Sequence, residues 1–194
     1  MARPKEFDRD EAVNSALAVF RKRGFSATST DELRLAMGIG RQSLYDTFKG
    51  KKELYLEALR RYNSNRVHGY LELFRTAKSP LQAIEDMLVS IALEDPTERR
   101  LACLGVSSIC EFGTTDASVS SINSGSGSAL QSVLEKLVTE AMAKKLVRPS
   151  LNPEDTARYL QSTLAGMRVT ARAGASPEAL KSIAAIAIDG LKPH

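Results

Sequence analysis

The residues with the most suggestive chemistry lie between Thr28 and Lys52, in the stretch TSTDELRLAMGIGRQSLYDTFKGKK. Leu44 and Phe48 are four residues apart, so in a helix they share one face, which we expect to be buried. The opposite face then carries polar side chains, namely Arg41, Gln42, Ser43, Tyr45, Asp46 and Lys49. A short helix with a polar, donor-rich outer face has the form needed to lie in a DNA major groove. The stretch therefore predicts a DNA-reading helix.

A second short helix is expected just before it, because its start and stop signals are both present. Ser29 can cap its N-terminus with Glu32 completing a capping box, and Thr28 with Asp31 is the alternative register. Gly38 is expected to end this helix by adopting the left-handed backbone conformation. The two patterns together predict a pair of helices around a tight turn.

Enzyme chemistry has little support in the chain. The two histidines, His68 and His194, supply neither a Ser-His-Asp set nor a multi-histidine metal site. Gly38-Ile39-Gly40 is explained by a helix stop followed by a cap, so it is not a phosphate-binding loop. We therefore expect a protein that is not an enzyme and that uses no cofactor and no metal.

Positive charge is concentrated at one end of the 194-residue chain. Residues 1–61 contain 13 Lys or Arg against 9 Asp or Glu, whereas residues 62–194 contain 14 of each. A basic end on a neutral body is typical of a protein that docks on a polyanion. The N-terminus has no signal-peptide pattern and no apolar run approaches 18 residues, so we expect a cytoplasmic protein.

Helical periodicity recurs along the chain and strand-like alternation is rare, which predicts an all-α fold of about nine helices. The expected helices span roughly residues 8–23, 51–76, 80–94, 154–173 and 177–191, besides the two short ones. The segment LACLGVSSICEF, residues 101–112, is apolar or small on nearly every side, so we expect a helix buried all round.

The motif resembles the DNA-binding domain of the tetracycline-repressor (TetR) family over roughly residues 7–60. The matching residues are Gly24-Phe25, Thr28, Leu33, Ala36, Gly38-Ile39, Ser43-Leu44-Tyr45, Phe48, Lys51 and Leu54. The ending Leu-Tyr-x-x-Phe-x-x-Lys is specific to this family among helix-turn-helix proteins. Gly40 and Gly50 depart from the family pattern, and glycine caps a helix somewhat less well than serine. Arg34 stands where the family often has a small residue.

The resemblance implies a homodimeric repressor with a helix-turn-helix domain at residues 1–50 and a helical effector-binding and dimerisation domain at 51–194. It places Arg41, Gln42 and Ser43 against bases, with Arg41 suited to guanine and Gln42 to adenine. Phosphate contacts are expected from Thr28, Thr30, Tyr45, Thr47 and Lys51, with Arg34 and Lys49 as additional contacts. The basic arm of Arg3, Pro4 and Lys5 is either a disordered tail or a further DNA contact.

An effector pocket is expected in the second domain, for a small and mostly apolar molecule. Its predicted lining is Tyr62, Arg66, Tyr70, Phe74, Met87, Ile91, Cys103, Phe112 and Met167. These side chains are bulky and adaptable and include one charged group, which suits an apolar pocket with a few orienting contacts. The alternative for each of them is that it fills a core.

The last two helices are expected to form the dimer, because such pairs build a four-helix bundle in the proteins that this chain resembles. The predicted interface residues are Leu160, Leu164, Ile183 and Ala187. The alternative is that the two helices only cover the chain's own core.

Two stretches leave alternatives open. The composition of residues 113–128, GTTDASVSSINSGSGS, predicts a linker, whereas the resemblance implies a long helix capped by Asp116; we favour a helix from about Ala117. Cys103 and Cys110 are expected to act as small hydrophobic residues, with a thiol that senses oxidants or electrophiles as the alternative. A third possibility is a small-molecule binding module without specific DNA function.

Overall fold

The computed structural model describes residues 7–193, and within that range it is helical, with ten helices and no strand. The helices are α1 (Arg9–Arg23), α2 (Thr30–Met37), α3 (Arg41–Phe48), α4 (Lys51–Thr76), α5 (Pro80–Leu93), α6 (Pro96–Arg100), α7 (Leu104–Phe112), α8 (Ala117–Ala143), α9 (Pro153–Arg172) and α10 (Pro177–Asp189). The all-α prediction is confirmed, and the five-residue α6 is an element that the sequence did not indicate. The basic arm at residues 3–5 lies outside the described range. None of the described helices is both long enough and apolar enough to cross a membrane.

Local signals explain where most helices begin. The side chains of Asp8, Ser79, Asn152 and Ser176 accept hydrogen bonds from backbone amides in the first turns of α1, α5, α9 and α10. Proline follows the cap of α5, α9 and α10, where its missing N–H costs nothing. Sequence-encoded caps therefore set these boundaries.

The segment at residues 113–128 is helical from Ala117 onward, as favoured above. The carboxylate of Asp116 accepts a hydrogen bond from the amide of Val119 at 3.0 Å. This bond satisfies one of the free amides at the helix start, so the helix begins there despite the serine- and glycine-rich composition.

Packing divides the chain into two compact units. The first unit contains the described residues up to Ser64 together with Cys103–Asn123. Its core includes the fully buried side chains of Phe20, Leu33, Leu54 and Tyr55. α7 and the start of α8 therefore belong with the helix-turn-helix by packing, while the functional boundary after residue 50 stays a prediction.

The second unit contains Asn65–Ala102 and the described residues from Ser124 onward. Its core is aliphatic, and α5 packs against both α9 and α10. Residues such as Ile84, Leu134 and Leu180 are fully buried in it.

The prediction that α7 is buried all round is wrong. The helix starts only at Leu104, and of its nine residues only Leu104 and Ser108 are buried. Ile109 is 57% exposed and Cys110 is also exposed. Small and apolar side chains allow burial on every face, but a helix this short packs one face on its own unit and leaves the other open.

Candidate nucleic-acid interface

The turn between α2 and α3 has the geometry that the sequence predicts. Ser29 and Glu32 form the complete capping box, with the Ser29 hydroxyl accepting from the Glu32 amide at 3.1 Å. Gly38 adopts φ 64° and ψ 28°, a left-handed conformation that a side chain would strain. Ile39 is buried in the turn, and Gly40 begins α3 without a side-chain cap.

α3 presents its polar residues outward. Leu44 and Phe48 are 1% and 3% exposed, so they anchor the helix on the core of the first unit. The exposed residues are Arg41, Gln42, Tyr45, Asp46 and Lys49, and Ser43 is half-buried. The predicted division of α3 into a buried face and a polar face is confirmed.

Two polar groups on this face are already hydrogen-bonded to Asp46. The amide nitrogen of Gln42 donates to the Asp46 carboxylate at 2.9 Å, and the Lys49 ammonium donates to the Asp46 carbonyl at 3.2 Å. Gln42 must exchange this exposed contact for a base edge when it reads DNA. Replacing an exposed hydrogen bond of this kind costs little free energy, because water competes for both partners.

The link from α3 to α4 fixes two of the predicted phosphate-binding residues. Lys49 and Gly50 have φ values of 62° and 129°, so the chain turns sharply at the end of α3. Lys51 then starts α4 with its ammonium 4.3 Å from the centre of the Phe25 ring. Tyr45 is 41% exposed and lies next to Gly50. Tyr45 is thus open to a phosphate group, whereas Lys51 is half-buried with its ammonium over an aromatic ring.

Thr28 is not positioned as a phosphate contact. It is 2% exposed, and its hydroxyl donates to the Gly24 carbonyl at 2.6 Å. The hydroxyl is used to close the turn after α1, so we remove Thr28 from the predicted contact set. Thr30 and Thr47 are half-buried, and Arg34 lies 3.5 Å from the Asp31 carboxylate.

A set of contacts that the sequence did not indicate supports the turn after α1. The Glu111 carboxylate accepts from the backbone amides of Phe25 at 2.8 Å and Ser26 at 3.0 Å. Phe112 packs against the rings of Phe25 and Tyr55, at 5.2 and 5.6 Å between centroids. α7 is therefore a structural support of the helix-turn-helix within the first unit.

A further contact of this support is an ion pair. Lys52 forms a hydrogen-bonded ion pair with Asp116. The hydrogen bond from Lys52 lowers the pKa of the Asp116 carboxyl most, and the hydrogen bond from the Val119 amide lowers it further. The Tyr55 hydroxyl, in the same unit, is buried. Burial raises its pKa, and the negative charge of Glu111 adds to the effect.

The predicted effector residues are divided between the two units. Tyr62, Cys103 and Phe112 pack in the core of the first unit, whereas the remaining six lie in the second. Those six are Arg66, Tyr70, Phe74, Met87, Ile91 and Met167. Within the second unit, Arg66 and Tyr70 line a cleft of about 250 Å³.

The other apolar members of the predicted pocket fill the core of the second unit. Met87 and Ile91 are fully buried, Met167 is 1% exposed, and Phe74 packs partly buried against the same cluster. Core filling was the alternative for these residues, and the structure favours it. Periodicity identified their inward faces but could not separate a cavity wall from a filled core.

The predicted dimer residues are also mostly interior. Leu160 and Ala187 are 0% and 2% exposed and Leu164 is 8% exposed, because they pack on α5 and the rest of the second core. Ile183 is half-buried and lies beside an open groove between α9 and α10. The exposed apolar side chains of these helices are instead Tyr159, Val169 and Ile186. The exposed apolar side chains of α9 and α10 are therefore different residues from the predicted interface set.

Both cysteines are free thiols, Cys103 half-buried and Cys110 exposed. The expectation that both behave as small buried hydrophobic residues therefore fails for Cys110. Among residues 7–193, no group of three or more His, Cys, Asp or Glu is arranged to hold a metal ion.

Comparison with known proteins gives consistent matches. Residues 12–58 match the family model of bacterial regulatory proteins, tetR family. The uncharacterized HTH-type transcriptional regulator YezE of Bacillus subtilis is 30% identical over 188 residues, covering 93% of this chain and 94% of that protein. The HTH-type transcriptional repressor ComR of Escherichia coli is 27% identical over 184 residues, covering 94% and 88%.

Solved structures share the fold. A cysteine mutant of the TetR family transcriptional regulator CifR, complexed with a 26-bp double-strand operator DNA, superposes with a TM-score of 0.84 at 23% identity. The match covers 98% of this chain and 100% of that one. At this identity the likeness establishes the architecture.

Proposed function

Because the chain belongs to the tetR family of bacterial regulatory proteins, we propose that it is a homodimeric repressor released from a palindromic operator by a small organic effector. Its membership makes it a helix-turn-helix DNA-binding regulator of transcription. The observation that carries the proposal is the polar outer face of α3, which the buried Leu44 and Phe48 hold toward solvent. The relative ComR is a repressor by name, and the CifR mutant is complexed with operator DNA.

The proposed DNA contacts fall into two groups. Arg41, Gln42 and Ser43, at the N-terminal end of α3, reach base edges, since this end of a recognition helix enters the major groove. The residues that bind phosphates are Thr30, Arg34, Tyr45, Thr47, Lys49 and Lys51. The second group positions the helix and contributes most of the sequence-independent affinity.

The proposed dimer surface is the outer face of α9 and α10. Tyr159, Val169 and Ile186 are 47%, 55% and 70% exposed on it. Tyr159 and Ile186 line an open groove between the two helices together with Thr163, Gly166 and Ile183. A contiguous apolar surface on a soluble chain is typical of an interface, and a two-fold operator requires two copies of the DNA-reading helix.

The effector is proposed to bind in the second unit, at the cleft that Arg66 and Tyr70 line. A bound molecule can change operator affinity only if it binds the two conformations of the protein with different affinity. Effector and operator should then weaken each other's binding by the same factor. Any candidate effector can therefore be tested by whether these two factors are equal.

The test is an operator titration with purified protein and DNA from the intergenic region next to its own gene. The proposal expects a saturable, salt-sensitive complex with two protein copies on a two-fold symmetric site. It also expects a cellular metabolite extract to contain a fraction that dissociates this complex. If the protein binds small molecules but shows no preference for any DNA sequence, it is a small-molecule binding module and the repressor proposal is wrong.

A further inference from the structure

The polar face of α3 carries one carboxylate among its cationic and neutral groups. Asp46 is exposed there, together with Arg41, Gln42, Tyr45 and Lys49. DNA phosphates repel a carboxylate and offer it no hydrogen-bond donor. A negative charge on the helix that reads DNA therefore lowers the affinity for DNA in general, unless the bases supply a donor.

The Asp46 carboxylate is hydrogen-bonded to the side chain one helical turn before it. The amide nitrogen of Gln42 donates to Asp46 Oδ1 at 2.9 Å. Residues four positions apart project from the same face of a helix, so the two side chains lie side by side at the surface. The amide that is bonded to the carboxylate is thus the group that is expected to read adenine.

Reading adenine takes this donor away from Asp46. A bidentate contact with adenine uses both the amide nitrogen and the amide oxygen of Gln42. Water replaces the lost donor in the free protein, but close contact with base edges displaces water from this face. A charged group that loses its hydrogen bond without water in its place carries a large desolvation cost. The favoured operator is therefore one that supplies a new donor to the carboxylate.

The major groove contains two kinds of base donor, the N6 amino group of adenine and the N4 amino group of cytosine. Guanine and thymine present the acceptors O6 and O4, which repel a carboxylate. Adenine also places its N7 acceptor beside the amino group, whereas the cytosine edge carries the donor alone. Cytosine is therefore the base that fits the Asp46 carboxylate best.

Helix geometry limits where this cytosine lies. Four residues of an α-helix rise about 6 Å along its axis, and successive base pairs are about 3.4 Å apart. The base next to Asp46 therefore lies within about two base pairs of the base next to Gln42.

We propose that Asp46 is a specificity-determining residue that selects cytosine at this position of each half-site and disfavours guanine and thymine. The inference rests on the proposed function, since it adds a residue to those that read the operator. Asp46 contributes repulsion against wrong sites, whereas Arg41 and Gln42 contribute attraction to the right ones. This role explains why a helix that faces a polyanion carries a negative charge.

The test measures base preference with the purified full-length protein. Bound duplexes are selected from a random pool, and the preferred duplex is then changed one base pair at a time and its affinity measured by fluorescence anisotropy. The position that Gln42→Ala relaxes locates the base pair of Gln42. Within about two base pairs of it, the wild type should bind cytosine about tenfold more tightly than guanine or thymine.

A uracil duplex separates the lost donor from a steric clash. Uracil has the O4 acceptor of thymine without its methyl group, so it should bind as weakly as thymine. Uracil that binds as tightly as cytosine would show that the thymine methyl group is excluded, and would overturn the inference.

Matched variants assign the preference to Asp46. Asp46→Ala should bind the four bases at this position about equally, and Asp46→Asn should prefer adenine, because an amide both donates and accepts. Gln42→Ala should keep the cytosine preference. Glu53→Gln removes another exposed negative charge, in the first turn of α4, and should keep every base preference. Unchanged preferences in both Asp46 variants, or loss of the cytosine preference in Glu53→Gln, would contradict the assignment.

Failure of this inference is distinguishable from failure of the proposed function. If the wild type enriches no sequence, the operator-binding proposal fails and this inference fails with it. If the wild type and both Asp46 variants enrich one two-fold site with the same base preferences, the operator-binding proposal stands and the role of Asp46 is wrong.

Discussion

The carboxylate of Glu111 accepts a hydrogen bond from the backbone amide of Phe25 at 2.8 Å, across 86 residues of sequence. Its second oxygen accepts from the amide of Ser26 at 3.0 Å. These two amides belong to the turn between α1 and α2, which is the entry to the DNA-reading helices. A side chain of α7 thus replaces the hydrogen bonds that this turn does not make within itself.

Glu111→Ala should lower the free energy of unfolding by about 1–2 kcal/mol, because two amides lose a charged acceptor at a site that is partly open to water. Glu111→Gln should cost less, since one oxygen still accepts. Urea unfolding followed by circular dichroism measures both. The control is Glu140→Gln, whose carboxylate lies 4.0 Å from Lys136 on the surface and should contribute little. A Glu111→Ala protein as stable as this control would show that the turn does not depend on α7.

The ion pair of Lys52 and Asp116 should make stability depend on pH in the acid range. The pKa of Asp116 is lowered, first by the hydrogen bond from Lys52. A carboxyl whose folded pKa is lowered stabilises the fold above its unfolded pKa, about 4, and loses this contribution as the pH falls through the folded value. Asp116→Asn should therefore destabilise the protein at pH 7.

Below about pH 4 the stability difference between wild type and Asp116→Asn should shrink, because the wild-type carboxyl becomes neutral as well. Thermal unfolding from pH 7 to pH 3 measures the difference. Lys52→Met removes the same pair from the other side and should show the same convergence. A difference that stays constant over this range would mean that the ion pair does not stabilise the fold.

Ile186→Asp should convert the dimer to a monomer without disrupting the core. Ile186 is 70% exposed on the α9–α10 face, so the new charge is solvated in the monomer and buried only in the dimer. Sedimentation should show loss of the dimer. Operator affinity should fall as well, because the two DNA-binding domains no longer bind the operator as one unit. Leu93→Asp, at an equally exposed apolar site of the same unit, should stay dimeric.

Leu160→Asp should behave differently from Ile186→Asp. Leu160 is fully buried in the core of its own chain, so a charge there costs several kcal/mol before any partner is considered. Circular dichroism should report an unfolded or partly folded protein. A folded monomer from Leu160→Asp and a stable dimer from Ile186→Asp would place the interface on a different face.

Local signals in the sequence were enough to predict the helix-turn-helix of α2 and α3. The contacts that the sequence did not predict depend on packing between distant segments. Ser29, Glu32 and Gly38 act within ten residues of one another, so their cap and turn could be predicted from spacing alone. The contact of Glu111 with Phe25 depends on how distant segments pack, and no local pattern specifies it. Thr28 illustrates the same limit, because its burial is decided by the fold around the turn.

The predicted dimer residues show why periodicity alone does not separate interior from exposed apolar positions. α9 carries buried apolar side chains such as Leu160 and also exposed ones, Tyr159 and Val169. Helical periodicity marks apolar positions, but packing against α5 determines which of them are interior. The ion pair of Glu94 and Arg168 joins residues 74 positions apart, and no local pattern specifies it.

Gln42→Ala and Tyr45→Ala should affect DNA binding in different ways. Gln42→Ala should cost about 1–3 kcal/mol at the preferred site and relax the preference at one base pair in each half-site. Tyr45→Ala should weaken binding to all sequences alike, and Lys51→Ala should do the same with a smaller salt dependence. Fluorescence anisotropy on single-substitution duplexes measures both effects. A changed sequence preference in Tyr45→Ala, with none in Gln42→Ala, would reverse the assigned roles.

The most direct test of the repressor function is selection of bound duplexes from a random DNA pool by the purified wild-type protein, followed by sequencing. A dimer that presents two copies of α3 should enrich an inverted repeat whose half-sites lie in successive major grooves. The same selection with Gln42→Ala should return the repeat with one position per half-site relaxed. Enrichment of no sequence, or of a site without two-fold symmetry, would contradict a homodimeric operator-binding repressor.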